Sequence, residues 1–245
     1  MKARERLTIK WLKSILFPKR CIMCDQVILK KQAFYGEYIS CCEECFDKIT
    51  LIKEPVCSVC GRPLIGNDAL CSDCKTIKHE FISGKFPLSY ECIAKSIYRF
   101  KYSNKPFYAK DYGRIIYELY KDWIEYIKPD AFIPVPLHKK RFNKRGYNQA
   151  AELSKVLTML TGIPTLDKYV VRTRNTVPQK VFDRKHRQIN MKKAFIVPKN
   201  DVKLKTVIVV DDIFTTGSTI DAVSRELRHQ GTNGIYFITI TAAGT

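Results

Sequence analysis

The sequence predicts an α/β protein, a parallel β-sheet flanked by helices, preceded by a small cysteine-rich zinc-binding module. Three observations carry this. Short apolar β-forming runs alternate with helical stretches of about 10–15 residues through the C-terminal two thirds, the pattern of a parallel sheet with crossover helices. Four Cys-x-x-Cys pairs fall within residues 21–74. Val207–Thr219, VIVVDDIFTTGST, passes from an apolar strand through two acids into a hydroxyl- and glycine-rich turn that opens a helix.

The chain has 245 residues, enough for one large domain or a domain with a module. The expected division is 1–78, an N-terminal helix and a double zinc-ribbon-like module, and 79–245, the α/β domain. No run of eighteen apolar residues exists, so no spanning helix is expected. The opening segment, MKARERLTIKWLKSILF, is too polar for a signal peptide. It reads as a basic amphipathic helix with Leu7, Trp11, Ile15 and Leu16 on one side, lying on the protein's own surface or on a membrane. Without a secretion signal, ten cysteines with Cys-x-x-Cys spacing argue for metal rather than disulfides, in a cytoplasmic protein.

The pairs are Cys21/Cys24, Cys42/Cys45, Cys57/Cys60 and Cys71/Cys74. Each can form a knuckle presenting two thiolates to one ion, and two knuckles complete a closed tetrahedral site. Eight ligands make two structural zinc sites. The simplest partition is sequential; an interleaved cross-brace is the alternative. Closed all-thiolate sites argue against zinc in chemistry, while leaving the module free to bind nucleic acid or protein. Cys41 lacks the spacing to Cys45 that Cys42 has, and Cys92 reads as a small buried hydrophobe.

KTIKHE, after Cys74, reads as a linker. Phe86–Tyr90 reads as a strand. Ser96–Tyr102, SIYRFKY, mixes aromatics with Arg99 and Lys101. Residues 106–127 are helical, with Tyr112, Ile115, Ile116, Leu119, Tyr120, Trp123, Ile124 and Ile127 spaced for one buried face. The aromatics of this region read as core before they read as base-stacking platforms.

Ala131–Leu137, AFIPVPL, reads as a strand with a rigid exit at Pro134 and Pro136. The next residues carry five cations in eight positions, Lys139, Lys140, Arg141, Lys144 and Arg145, ending at Gly146. A helix from Gln149 to Leu160 follows. A basic loop between strand and helix is an anion site or, in the bland reading, a solvated face. Residues 169–190 add Arg172, Arg174, Arg184, Lys185, His186 and Arg187, as a loop closing over a site or a groove for a nucleic acid backbone. Residues 131–205 hold +14 of the total charge of +19, so this third faces a polyanion, surrounds a phosphate-rich ligand, or both. Phe195–Val197, Val207–Val210 and Ile235–Thr239 complete the strands.

At Val207–Thr219 the acids, Asp211 and Asp212, sit at the carboxyl end of a buried strand, where ligands bind in such sheets. The turn of Thr215, Thr216, Gly217, Ser218 and Thr219 offers unpaired N–H groups, a close-approach glycine and hydroxyls to a phosphate. The acids suit ribose hydroxyls or a magnesium ion shared with a pyrophosphate. Phosphoribosyl pyrophosphate carries all these groups on one frame; the competing reading is a generic strand–turn–helix joint.

The stretch resembles the phosphoribosyl-pyrophosphate-binding signature of type I phosphoribosyltransferases. That resemblance implies a pyrophosphate contact for the Lys139–Gly146 loop and a closing loop for residues 169–190. It also argues against purine salvage, since Thr215 stands where purine-salvage members carry an acid that protonates the base. Over residues 20–240 the chain further resembles the ComF family of competence proteins. The carrying residues are the cysteine pairs with Gly61-Arg62-Pro63, Pro134-Val135-Pro136-Leu137, Arg145-Gly146-Tyr147-Asn148-Gln149, Arg172, Arg174, Thr176, Gln179, Arg187, Asn190 and the Asp211–Thr219 signature. This resemblance implies a zinc module on a type I phosphoribosyltransferase fold. It also implies a cytoplasmic role in natural transformation, acting on single-stranded DNA beside a DNA helicase or translocase and DNA-processing proteins. An active phosphoribosyltransferase with an unidentified small-molecule acceptor is the second expectation.

Overall fold

The computed structural model describes residues 18–66, 68–173, 194–199 and 201–244. The expected N-terminal helix with Leu7, Trp11, Ile15 and Leu16 lies outside the described residues, as do Arg174, Arg184, Lys185, His186 and Arg187.

The main sheet has four strands: β3 (Ser83–Lys85), β5 (Ala131–Pro134), β8 (Thr206–Val210) and β10 (Gly234–Ile238). All pair in parallel, in the order β3-β10-β8-β5. A second parallel sheet, in the order β4-β11-β9, joins β4 (Leu88–Ser89), β9 (Ile213–Phe214) and β11 (Thr241–Ala242). The helices are α1 (Glu43–Phe46), α2 (Ser72–Thr76), α3 (Tyr90–Tyr102), α4 (Tyr108–Ile127), α5 (Lys139–Arg145), α6 (Gln149–Thr161) and α7 (Ser218–His229). Two antiparallel ribbons, β1 (Gln32–Phe34) with β2 (Glu37–Ile39) and β6 (Val171–Arg172) with β7 (Phe195–Ile196), stand outside these sheets.

Alternation along β8 divides the core. Ile208 and Val210 join α4 and α6 on one face, with Tyr112, Ile115, Ile116, Leu153 and Leu157. Val207 and Val209 join α7 on the other, with Ile220, Val223 and Leu227. These four apolar β8 side chains are fully buried, each contributing about 1.5–3 kcal/mol. The two cysteine groups split the same way. Cys21 is part of the first core, while Cys57 and Cys60 are part of the second. The zinc-ribbon portion is therefore packed on both faces of the α/β core. The chain between the cysteine groups also bonds to β4, through Ser89 N–H to the Thr50 carbonyl and Ile52 N–H to the Pro87 carbonyl.

Four expectations are corrected. The basic loop is a helix, α5, because its residues are good helix formers with stop signals at both ends. The His138 side chain accepts the Lys140 N–H at the start, and Gly146 ends it at φ 80°. Phe86–Tyr90 shortens to Leu88–Ser89, because extended Ser89 is the N-cap of α3. The helical spacing of Ile93, Ile97 and Phe100, all buried, is the signal for α3. Phe195–Ile196 pairs in a separate antiparallel ribbon instead of the main sheet. Cys92 is only partly buried, its Sγ lying 3.2 Å from the Ser89 carbonyl.

Candidate functional site

Two four-cysteine groups form, Cys21/Cys24/Cys42/Cys45 and Cys57/Cys60/Cys71/Cys74, with the sulfurs of each within 4.8 Å of one another. The sequential partition is thus the one adopted. The donor chemistry fits zinc. A tetrahedral Zn–S bond of about 2.3 Å puts sulfurs about 3.8 Å apart. Cys24 and Cys42 are 3.8 Å apart, and Cys60 and Cys71 are 3.6 Å apart. Backbone N–H groups of Met23 and Cys42 donate to Cys21 Sγ at 3.4 Å, as in a metal knuckle. Two structural zinc ions fit these groups. Cys41, with Sγ 3.8 Å from Cys21 Sγ, lies outside the ligand set. Its contact with Cys21, and then its burial, push its thiol far up, so it stays protonated.

At the carboxyl end of β8 stand Asp211, partly buried, and Asp212, buried. The Asp212 N–H donates to Asp211 Oδ1 at 2.8 Å, which locks the pair. Asp212 forms an ion pair with Lys101, at the end of α3, at 2.9 Å. Burial first, and the Asp212 charge second, push Asp211 up to about 7; Lys101 and Arg172 oppose this without cancelling it. Burial is thus the main reason Asp211 resists ionisation, and the neighbouring Asp212 carboxylate adds to it.

Gly217 follows at φ 78° and caps α7 without any side-chain hydrogen bond. Among the described helices only α5 and α6 carry side-chain caps, from His138 and Asn148. The Thr216 and Ser218 hydroxyls lie 2.8 Å apart on the turn. Beneath it lies His79, buried and stacked on Phe81 with ring centroids 4.5 Å apart. His79 Nδ1 is 2.9 Å from Asp221 Oδ2, and Asp221 Oδ1 accepts the Glu80 N–H.

The structure sorts the basic residues into two sets. Arg141 and Arg145, one turn apart on α5, are partly buried; Arg141 feels the Asp212 charge, and Arg145 contacts Gln149 and Tyr102. Arg172 joins them: burial and then Arg141 push it down to about 10, against the pull of Asp211. Its guanidinium lies 5.2 Å from the centre of the Phe195 ring. Lys139, Lys140 and Lys144 are exposed, and among the described residues no carboxylate pairs with them. Thr215 is exposed as well, with its carbonyl accepting a hydrogen bond from Arg62.

A family model described as a double zinc ribbon domain matches residues 12–75, and one described as a phosphoribosyl transferase domain matches residues 102–244. Competence protein F of Haemophilus influenzae is 35% identical over 189 residues, which cover 74% of this chain and 82% of that protein. The chain belongs to the competence protein F family. Competence protein ComFC of Bacillus subtilis is 24% identical over 86% of this chain and 89% of its own length. The DNA utilization protein YhgH of Escherichia coli is 33% identical over 42% of this chain and 45% of its own length.

In this member of the competence protein F family, three residues around the signature escape a reading of motifs. Lys101 forms an ion pair with Asp212 from a helix that ends far away in sequence. His79 supports Gly217 from the segment read as a linker. Arg62, quoted only as part of Cys-Gly-Arg-Pro, bonds to Thr215 across 153 positions. Their only signals are an isolated cation and an isolated histidine or arginine beside longer motifs.

The raised Asp211 makes a pH prediction. Between 3.8 and about 7 the unfolded chain has released this proton and the folded chain has not. Stability therefore falls as pH rises through that window. Replacing Asp211 by Asn removes the penalty. Asp211→Asn is expected to raise stability at pH 8 by about 1–2 kcal/mol, allowing for partial exposure, and by much less at pH 5. Urea titrations at the two pH values check this; an equal or larger gain at pH 5 contradicts it.

Proposed function

We propose that this chain handles incoming single-stranded DNA in the cytoplasm during natural transformation, and that its strand-end pocket binds phosphoribosyl pyrophosphate with magnesium. The observation that carries the pocket is the convergence, at the carboxyl end of β8, of the adjacent acids Asp211 and Asp212, the glycine-led start of α7 at Gly217, and Arg141 and Arg172, which feel the charge of the acids, with Arg145 one turn from Arg141. Thr215, Thr216, Gly217, Ser218 and Thr219 hold the 5-phosphate, through N–H groups of the first α7 turn and the hydroxyls beside them. Asp211 and Asp212 orient the ribose hydroxyls. Arg141, Arg145 and Arg172, with Gly146 ending their helix, take the pyrophosphate. Magnesium fits the oxygen ligands that two adjacent carboxyl groups offer and, when bound, would neutralise the pyrophosphate. Arg174, Arg184 and Arg187 belong to the same proposed anion surface through the sequence alone.

The relatives' names, competence protein and DNA utilization protein, support the DNA role. So does the outward lysine set. Lys139, Lys140 and Lys144 meet DNA phosphates, while a helicase or translocase and DNA-processing proteins act alongside. Isothermal titration of phosphoribosyl pyrophosphate with magnesium tests the pocket. Wild type is expected to bind, and the Asp211→Asn/Asp212→Asn double variant to lose at least about tenfold in affinity; equal binding refutes the assignment. For DNA, replacing the three lysines by Ala is expected to reduce the salt slope by about 2, since each single-strand phosphate contact contributes about 0.7. An unchanged slope removes the lysines from the interface.

A second reading is active transfer of the 5-phosphoribosyl group to a small-molecule acceptor. The acid pair favours it, because carboxylates stabilise positive charge developing on the ribose as pyrophosphate leaves. Pyrophosphate release across an acceptor panel tests it, and absence of turnover sinks it.

A further inference from the structure

We infer that Tyr98 and Tyr102 form a base-stacking step beside the acid site, taking unpaired bases of single-stranded nucleic acid whose phosphates run along α5. This rests on the nucleic-acid reading above and gives it a place on the molecule.

Helix α3 buries Ile93, Ser96, Ile97 and Phe100 against the core. Off that face, Tyr98 is 64% exposed and Tyr102 is 51% exposed. The two rings are one turn apart, with centroids separated by 5.0 Å and planes tilted by 48°. The Arg145 guanidinium sits 4.9 Å from the centre of the Tyr102 ring and donates to its hydroxyl at 3.3 Å. Gln149 holds the same guanidinium from behind, accepting from Arg145 at 2.9 Å. The planar surfaces therefore run in series, from Arg145 through Tyr102 to Tyr98, and remain open to solvent at Tyr98.

The position of this series is fixed from both ends. Lys101, next to Tyr102, forms an ion pair with Asp212, which ties the end of α3 to the acid site. Arg145 ties it to α5, which displays Lys139, Lys140, Lys144 and the half-exposed Phe142. Aromatic and guanidinium planes next to unpaired cations are the two parts of a single-strand site: stacking for bases and charge for phosphates. A duplex keeps its bases stacked inside and offers none to this surface. An acidic protein would use the lysines but gain little from an open series of planar groups.

The test compares three fluorescein-labelled DNA probes of about 12 nucleotides, a length within single-strand site sizes: oligothymidylate, an abasic oligomer of equal charge, and a duplex. Wild type is expected to bind oligothymidylate about tenfold more tightly than the abasic strand. Tyr98→Ala/Tyr102→Ala is expected to bind both equally, with zinc content unchanged and only a small fall in melting temperature from the lost contact of Tyr102 with Arg145. Tyr98→Trp, which keeps a stacking plane, is expected to retain the preference. Equal wild-type affinity for oligothymidylate and the abasic strand overturns the stacking step while leaving phosphate contact intact. Preference for the duplex overturns it too. A preference that persists in the double alanine variant, or is lost in Tyr98→Trp, removes it from these tyrosines. Failure of wild type to bind any probe refutes the DNA reading itself.

Discussion

Replacing Cys60 by Ser is expected to remove one zinc ion per chain, lower the melting temperature by more than about 10 °C and abolish phosphoribosyl pyrophosphate binding. Cys60 is buried in the core that also contains Phe81, Phe86 and the α7 side of β8. Its zinc group is therefore an internal support, and a structural zinc site can contribute about 10 kcal/mol or more, comparable to the whole stability of a domain. The link to the pocket is Arg62, two residues on. Its guanidinium is held by Asp73, within the Cys71–Cys74 knuckle, at 2.9 Å. It also lies 5.5 Å from the centre of the Phe214 ring and donates to the Thr215 carbonyl. A peptide group is planar, so fixing the Thr215 carbonyl fixes the direction of the Thr216 N–H on the opposite edge. That N–H belongs to the turn proposed to hold the phosphate. Arg62→Gln separates this support from general unfolding. It is expected to keep two zinc ions and a near-normal melting temperature while binding phosphoribosyl pyrophosphate about tenfold more weakly, the scale of one lost charge-assisted hydrogen bond. Metal analysis, thermal melts and titration calorimetry read the three quantities. Wild-type affinity in Arg62→Gln would show that the ribbon does not position the turn.

Local pattern was enough for much of this molecule. Cys-x-x-Cys spacing located all eight cysteines of the two groups that fit zinc, because a knuckle is built from four consecutive residues; the partition between the two groups needed coordinates. The apolar run Val207–Val210 located the central strand, because a strand buried on both faces tolerates no polar position. Pattern failed where neighbours decide. The charge run at Lys139–Arg145 looked like a loop, yet helical periodicity divides it into inward arginines and outward lysines. The three-residue strand Ser83–Lys85 has no β-forming signature and exists because it pairs with β10. Tyr98 and Phe100 are aromatic residues two positions apart, one exposed and one fully buried, and only the packing of α3 distinguishes them. The supports of the signature, Arg62, His79 and Lys101, come from three distant segments, and single residues carry no period or spacing to read.

Gly217→Ala is expected to lower phosphoribosyl pyrophosphate affinity by about 10- to 100-fold, with a much smaller loss of stability than Cys60→Ser. Two independent costs act at this position. The backbone sits at φ 78°, in the left-handed region, where a Cβ costs about 1 kcal/mol or more. A Cβ there would also lie 2.8 Å from His79 Cε1 and 3.3 Å from Phe214 Cζ. His79 cannot yield easily, because it is stacked on Phe81 and bonded to Asp221, whose other oxygen accepts the Glu80 N–H. Phe214 is confined by its stacked contact with Phe237, at 4.7 Å between centroids. Relief therefore requires the turn itself to lift, moving the Thr216 and Ser218 groups off their positions while the rest of α7 stays packed. Overpacking of this kind costs about 1–3 kcal/mol, the same range as the predicted loss of affinity. Shortening the obstruction should recover part of the loss. In Gly217→Ala/His79→Ala the closest contact is gone, leaving the left-handed cost and the looser approach to Phe214, so the double variant is expected to bind more tightly than Gly217→Ala alone. Titration calorimetry on the two variants, alongside His79→Ala as a control, measures the difference. If the double variant binds no better than the single one, the contact with His79 is not what dictates glycine here, and backbone conformation with the approach to Phe214 accounts for it.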